Sequence, residues 1–273
     1  MSDRRVVLVT GSTDGIGRAT ARALAAAGAK VILHGRSKPK VDAALAKLME
    51  ELPGAEIEGV SFDLGSLAAV RKGAQQILAR VPELHVLVNN AGIFADERTL
   101  TEDGVELTFA VNHLGPFLLT ELLTARLEAS AQTAPSRVIN VSSIAHTRGR
   151  VHIDDLTLKA GWTGYAAYAQ AKLCNVMHAI ELGQRRDASK LVAYSLHPGV
   201  ISTKLLRQGF GPVQGAPVDA GARTSVRLAG AETVDDPSGT YFSEGTATPP
   251  ASAARDPQAR TALWDASVRL AKL

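Results

Sequence analysis

"VTGSTDGIGRAT", Val9 to Thr20, decides the fold. It follows the short apolar run Arg5–Thr10 and leads into Gly17–Ala29, an alanine-rich stretch that reads as a helix ending at Gly28. Glycines at 11, 15 and 17 let the backbone turn sharply at the end of a strand. The free N–H groups and positive dipole of the following helix then face outward, ready for an anion. The spacing is G-x-x-x-G-x-G, not G-x-G-x-x-G, and glycines also serve plain tight turns. Their place between a first strand and a first helix is what points to a nucleotide pyrophosphate, with Gly11, Ser12, Thr13, Gly15, Ile16 and Gly17 around it.

Outward from this turn the chain alternates. Further strands are expected at Lys30–Gly35, Ala55–Asp63, Leu84–Gly92, Ser136–Ser143, Leu191–Gly199 and Gly239–Ser243. Helical segments separate them, including about 101–129, interrupted near Gly115-Pro116, and Gly164–Arg185. Strands joined by such helices imply right-handed crossovers and a parallel sheet covered on both faces. The expected architecture is α/β: a doubly wound, Rossmann-type parallel sheet of about seven strands. With 45% hydrophobic residues and no long polar linker, residues 1–273 read as one domain. A segment at about 202–216, rich in glycine and leucine, reads as a lid over a substrate.

Composition excludes several classes of function. The 30 basic residues are scattered among 27 acidic ones without an aromatic-flanked stripe, so nucleic acid is not an expected partner. Cys174 is the one cysteine, which rules out an internal disulfide and suits a reducing compartment. Cys174 and His178 lie one helical turn apart, but two ligands do not make a metal site, and none is expected. The charged start runs directly into a strand, with no signal segment, membrane anchor or 18-residue apolar run, so a cytoplasmic location is expected.

In such a sheet, ligands bind beyond the carboxyl ends of the strands. The second strand ends in "HGRSKPK", with Arg36 where NAD sites usually place an acid. A guanidinium suits a 2′-phosphate, so NADP(H) is expected over NAD(H). Asp63 and Leu64, at the next strand end, would face the adenine. In "YAAYAQAK", Tyr168 sits four residues before Lys172 and shares its helix face, whereas Tyr165 sits seven before it.

"NNAG" (Asn89–Gly92), "YAQAK" (Tyr168–Lys172) and the glycine turn together resemble the short-chain dehydrogenase/reductase family, over nearly the whole chain from about Val6. "NVSSIAH", the long stretch from serine to tyrosine, and the tail "SGTYFSE…LWDASVRL" resemble its retinol-dehydrogenase-like, WW-domain-oxidoreductase-like branch. The resemblance implies a catalytic set of Asn112, Ser143, Tyr168 and Lys172, with Ser143 rather than Ser142 as the reactive serine. It further implies cofactor contacts at Asn90, Ala91, Gly92, Pro198, Gly199, Val200 and Thr203, Thr203 bonding the nicotinamide carboxamide. Tyr168 would exchange a proton with the substrate oxygen, Ser143 would hydrogen-bond it, Lys172 would hold the nicotinamide ribose, and Asn112 would keep a water in line with the lysine.

An ammonium about 4 Å from a phenol contributes roughly 4 kcal/mol at an effective dielectric of 20, so Lys172 is expected to bring Tyr168 toward pKa ~7. Tyr165, roughly 10 Å along the helix, is then a packing or wall residue. Leu205, Leu206, Phe210 and Val213 of the lid, facing Ile93, Phe94, Ala145 and His146, would enclose a hydrophobic aldehyde, ketone or alcohol. The branch hints at retinoids, against which stands the missing N-terminal anchor. A catalytically silent NADP(H)-binding sensor is the alternative, though such a protein would usually have lost part of the tetrad. An epimerase or dehydratase would be larger. The family also implies a homodimer or homotetramer, paired through the helices at 114–129 and 164–185.

Overall fold

The computed structural model describes residues 4–273. Its first half runs β1 (Val6–Val9), α1 (Gly15–Ala26), β2 (Lys30–Gly35), α2 (Lys38–Glu51), β3 (Ile57–Ser61), α3 (Leu67–Arg80) and β4 (Val86–Asn89). A short α4 (Leu107–Phe109) passes through a π-helical turn, Ala110–Leu114, directly into α5 (Gly115–Ser130). Then come β5 (Ser136–Val141), α6 (Gly164–Arg185), β6 (Leu191–His197), α7 (Lys204–Phe210) and α8 (Val218–Gly230). The chain closes with β7 (Tyr241–Ser243), β8 (Thr246–Ala247), α9 (Ser252–Arg255) and α10 (Pro257–Ala271).

The sheet has the order β3-β2-β1-β4-β5-β6-β7-β8 and is parallel up to β7. Strand alternation builds two apolar layers from single strands. Val7 and Val9 of β1 face the core beneath α1, α2 and α8; Val6 and Leu8 face the core beneath α3, α5, α6 and α10. Such two-sided burial is why the strands read as continuous valine, leucine and isoleucine runs. The strand order reverses between β1 and β4, and the resulting crevice lies beyond their carboxyl ends.

Two local features differ from the sequence expectation. The sheet has eight strands rather than about seven, because β7 turns back at Glu244-Gly245 to pair with an antiparallel β8. Both turn residues have positive φ, 50° and 92°, and a two-residue strand shows no alternation to read. The helix expected to break at Gly115-Pro116 instead continues. The π turn ends there, so the missing proline N–H falls in its widened ladder. A Cβ on Gly115 would collide with the Leu64 carbonyl, which explains the glycine.

Helix α6 is buried on nearly every side within one chain. The C-terminal helix α10 lies against it: the Arg185 guanidinium stands over the Trp264 ring at 4.6 Å, and Arg260 pairs with Glu181 at 3.3 Å. Part of α6 is thus covered by the chain's own C-terminal helix.

Candidate active site

The glycine turn is held from both sides. Gly11 has φ +62°, and a Cβ there would lie 2.7 Å from Ala91 Cα. Gly15 has φ +56°, and a Cβ on Gly17 would collide with Asn90 Nδ2 and Gly11 O. Glycine is therefore a packing requirement at 11 and 17 and a conformational one at 11 and 15. Thr10, at the β1 end, is a hub that sequence reasoning missed. Its Oγ1 accepts from Asn90 N (3.0 Å) and Ala91 N (3.1 Å) and donates to Val88 O (3.2 Å). Asn90 Nδ2 returns the bond, donating to Thr10 O at 2.8 Å.

Asn90, Ala91 and Gly92 therefore lie against the turn, and the first N–H groups of α1 open into the crevice. Asp14 caps that helix at Gly15 N (2.8 Å) and pairs with Lys204 at 2.6 Å. Ser12 behaves differently from the other turn residues. It is fully buried; its hydroxyl donates to Val9 O (2.8 Å) and accepts from His34 N (2.9 Å). It builds the turn rather than facing the crevice.

Arg36, just past β2, is exposed, and Asp63 is half-buried with Oδ1 accepting Gly65 N at 2.8 Å. Leu64 is buried in the core. Pro198, Gly199 (φ +93°) and Val200 carry the chain from β6 into the lid. The lid base is closed by the Ile201–Ala216 bridge and the Ser202 hydroxyl on Gly215 O (2.8 Å). Thr203 caps α7 through Leu206 N (3.2 Å), and its methyl lies 3.8 Å from where a Gly15 Cβ would stand.

Tyr168 and Lys172 lie on one face of α6. Lys172 Nζ donates to Val141 O at 2.9 Å and lies 5.6 Å from the Tyr168 ring centre. A Cβ on Gly92 would stand 3.3 Å from Nζ and 3.5 Å from Asn112 Oδ1, so both side chains border Gly92. Asn112 sits in the π turn and exchanges two bonds with Ile93, accepting from its N–H (2.7 Å) and donating to its carbonyl (2.9 Å). Ser142 is buried, its hydroxyl donating to Lys172 O at 2.7 Å. Ser143 is half-buried, within hydrogen-bonding reach of the Tyr168 phenol.

The electrostatics depart from the sequence expectation. Burial pushes the Tyr168 phenol up to about 12, opposed by its bond with Ser143. Burial likewise brings Lys172 down to about 8. Desolvation outweighs the attraction expected between them, because the ammonium points at the Val141 carbonyl.

Phe94, Leu205 and Phe210 pack on Tyr168, Ala145 and Ala169, with the Phe94 and Phe210 rings 5.7 and 5.8 Å from Tyr168. Tyr165 is 38% exposed and stands edge-on to Phe210 at 6.1 Å, a wall of the mouth. Val213 is exposed. His146, expected on the wall, is buried instead. Its Nδ1 lies 2.8 Å from Ser143 O, and Ala251 N donates to Nε2 at 3.2 Å. Among the described residues, no group of three or more His, Cys, Asp or Glu could hold a metal ion, and no helix is long and apolar enough to cross a membrane.

The residues fit a nicotinamide dinucleotide. The collision-limited glycines hold the turn beside the open first turn of α1, and the buried Lys172 stands at Gly92, farther along the same crevice. A family model described as short chain dehydrogenase matches residues 5–210. Retinol dehydrogenase 12 of Mus musculus is 36% identical over 97% of this chain and 86% of its own. A crystal structure of a protein from Mycobacterium paratuberculosis is 33% identical with a TM-score of 0.81, covering 98% of this chain and 93% of its own. A blue fluorescent protein from a metagenomic library, solved in complex with NADPH, is 27% identical with a TM-score of 0.67, over 88% of this chain and 95% of its own.

Proposed function

The chain belongs to the short chain dehydrogenase family, in its retinol-dehydrogenase-like branch, and from that premise we propose an NADP(H)-dependent reductase of hydrophobic aldehydes or ketones. The observation that carries this reading is a buried Tyr168 beside Ser143 and Lys172, under an aromatic roof. When bound, the nicotinamide supplies the hydride. The chain's own residues do the rest. Tyr168 Oη gives its proton to the substrate oxygen, and Ser143 Oγ hydrogen-bonds that oxygen as charge develops on it. Asn112 holds Ile93 at the crevice floor, and Lys172, anchored on the Val141 carbonyl, places its ammonium beside Gly92. Phe94 and Phe210 exclude water from the reacting oxygen.

Arg36 and the lack of an acid at the end of β2 support NADP(H) over NAD(H). The Mus musculus relative's name supports an apolar substrate without specifying one here. Membership of the family supports a homodimer or homotetramer. The single cysteine, which suits a reducing compartment, supports a cytoplasmic location.

The test is NADPH consumption over a panel of apolar aldehydes, ketones, quinones and steroids, with NADH alongside. Turnover with at least one carbonyl, and an NADPH preference that drops about tenfold in Arg36→Ala, is expected. NADPH binding without turnover of any carbonyl would favour the silent sensor instead. An unchanged preference would make Arg36 a surface cation.

A further inference from the structure

His34 is the penultimate residue of β2 and is buried, its ring 4.2 Å from that of Phe62. Both ring nitrogens are engaged with backbone. Gly11 N–H donates to Nδ1 at 3.2 Å, and Nε2 lies 3.0 Å from Phe62 O. These partners fix the tautomer: a backbone N–H requires a bare Nδ1, and a carbonyl requires a proton on Nε2. The backbone of His34 is clamped as well, its O accepting Ser12 N at 2.9 Å and its N–H donating to Ser12 Oγ at 2.9 Å.

This placement matters because of what Gly11 does. Its carbonyl accepts from Asn90 Nδ2 at 3.2 Å, so β4 holds one side of that residue and His34 the other. Gly11 has φ +62° and opens the turn that aims the first N–H groups of α1 into the crevice. Phe62, the second partner, immediately precedes Asp63 at the adenine end of the same crevice. One imidazole thus joins the phosphate turn to the strand end that walls the base.

We propose that His34 is a positioning residue of the cofactor site, acting through Gly11 and Phe62 without touching the cofactor. The inference rests on reading the glycine turn as the nucleotide site. Its consequence is that the two ring nitrogens have separable roles, the Nδ1 bond setting the phosphate turn and the Nε2 bond setting the adenine wall.

Two substitutions in the full-length protein separate them. His34→Asn keeps an acceptor oxygen near the Nδ1 position and loses the donor to Phe62. His34→Gln keeps a donor amide near the Nε2 position and loses the acceptor for Gly11. NADPH affinity by nicotinamide fluorescence, KM for NADPH against kcat, and Gly11 amide exchange without ligand are the readouts.

His34→Gln is expected to bind NADPH about tenfold more weakly than His34→Asn, with KM raised, kcat at saturating NADPH little changed, and Gly11 exchange accelerated. A purely structural role would lower the melting temperature of both without this split. Equal NADPH affinity in the two variants, with wild type binding normally, overturns the inference alone. Failure of the wild type to bind NADPH overturns the cofactor reading and the inference with it.

Discussion

At the scale of the residue, Tyr168 and Tyr165 share a helix and a neighbour, Phe210, but not a job. Tyr168 is 5% exposed and faces Ser143 and Lys172; Tyr165 is 38% exposed at the mouth. Removing the Tyr168 hydroxyl deletes the proton donor, so Tyr168→Phe is expected to cost about 10²-fold or more in reductase turnover while leaving NADPH binding intact. Tyr165→Phe is expected to stay within about threefold of wild type in the same steady-state assay. The reverse order would move the acid to Tyr165. The i, i+4 spacing made the Tyr168–Lys172 pair legible in the sequence. The direction of its pKa shift was not, because burial and the Val141 carbonyl, which set it, come from other elements.

At the scale of the element, the glycine turn works by contact. Gly17 has ordinary φ, yet a methyl there would run into both Asn90 and Gly11. Gly17→Ala is expected to displace "NNAG", weakening NADPH binding about tenfold or more and lowering thermal stability by roughly 1–3 kcal/mol. Isothermal titration and thermal melts check this, and a neutral result would mean the turn relaxes freely. The lid element is packed as closely: a Cβ on Gly209 would lie 2.6 Å from the Phe94 ring. Gly209→Ala is expected to lift α7 from the mouth and raise the KM for the carbonyl more than it lowers kcat. The place of this segment after β6 and its glycines can be read in the sequence. Its latches, Lys204 on Asp14 and Gln208 on Asp96 (2.9 Å), join residues far apart in the chain and left no local signal.

At the scale of the whole molecule, the core holds several neutral histidines. Burial lowers His34 and His113 to about 4 and His178 to about 3, from an ordinary 6.5. The unfolded chain binds these protons near pH 6.5 and the native protein does not, so stability is full above that pH and is lost as pH falls from about 6.5 toward 4. Each contributes about 1.4 kcal/mol per pH unit inside that window. Urea unfolding midpoints measured from pH 8 to pH 4.5 are expected to hold level and then drop steeply below about 6.5. A flat profile would mean that the histidines titrate normally.

The alternation of apolar strands with helices, the glycine turn, "NNAG" and the Tyr168–Lys172 spacing are local in the chain. Backbone period, steric freedom and charge act there over a few residues, and the sequence by itself determined the doubly wound class and where its crevice lies. Tertiary structure alone decided that the Ser142 hydroxyl is spent on the Lys172 carbonyl, that Ser12 and His146 face inward, and that α10 covers α6. Each of those depends on a partner 20 to 150 residues away or on burial made by several elements at once. Desolvation and packing are properties of that assembled surround, which no short stretch of the chain contains.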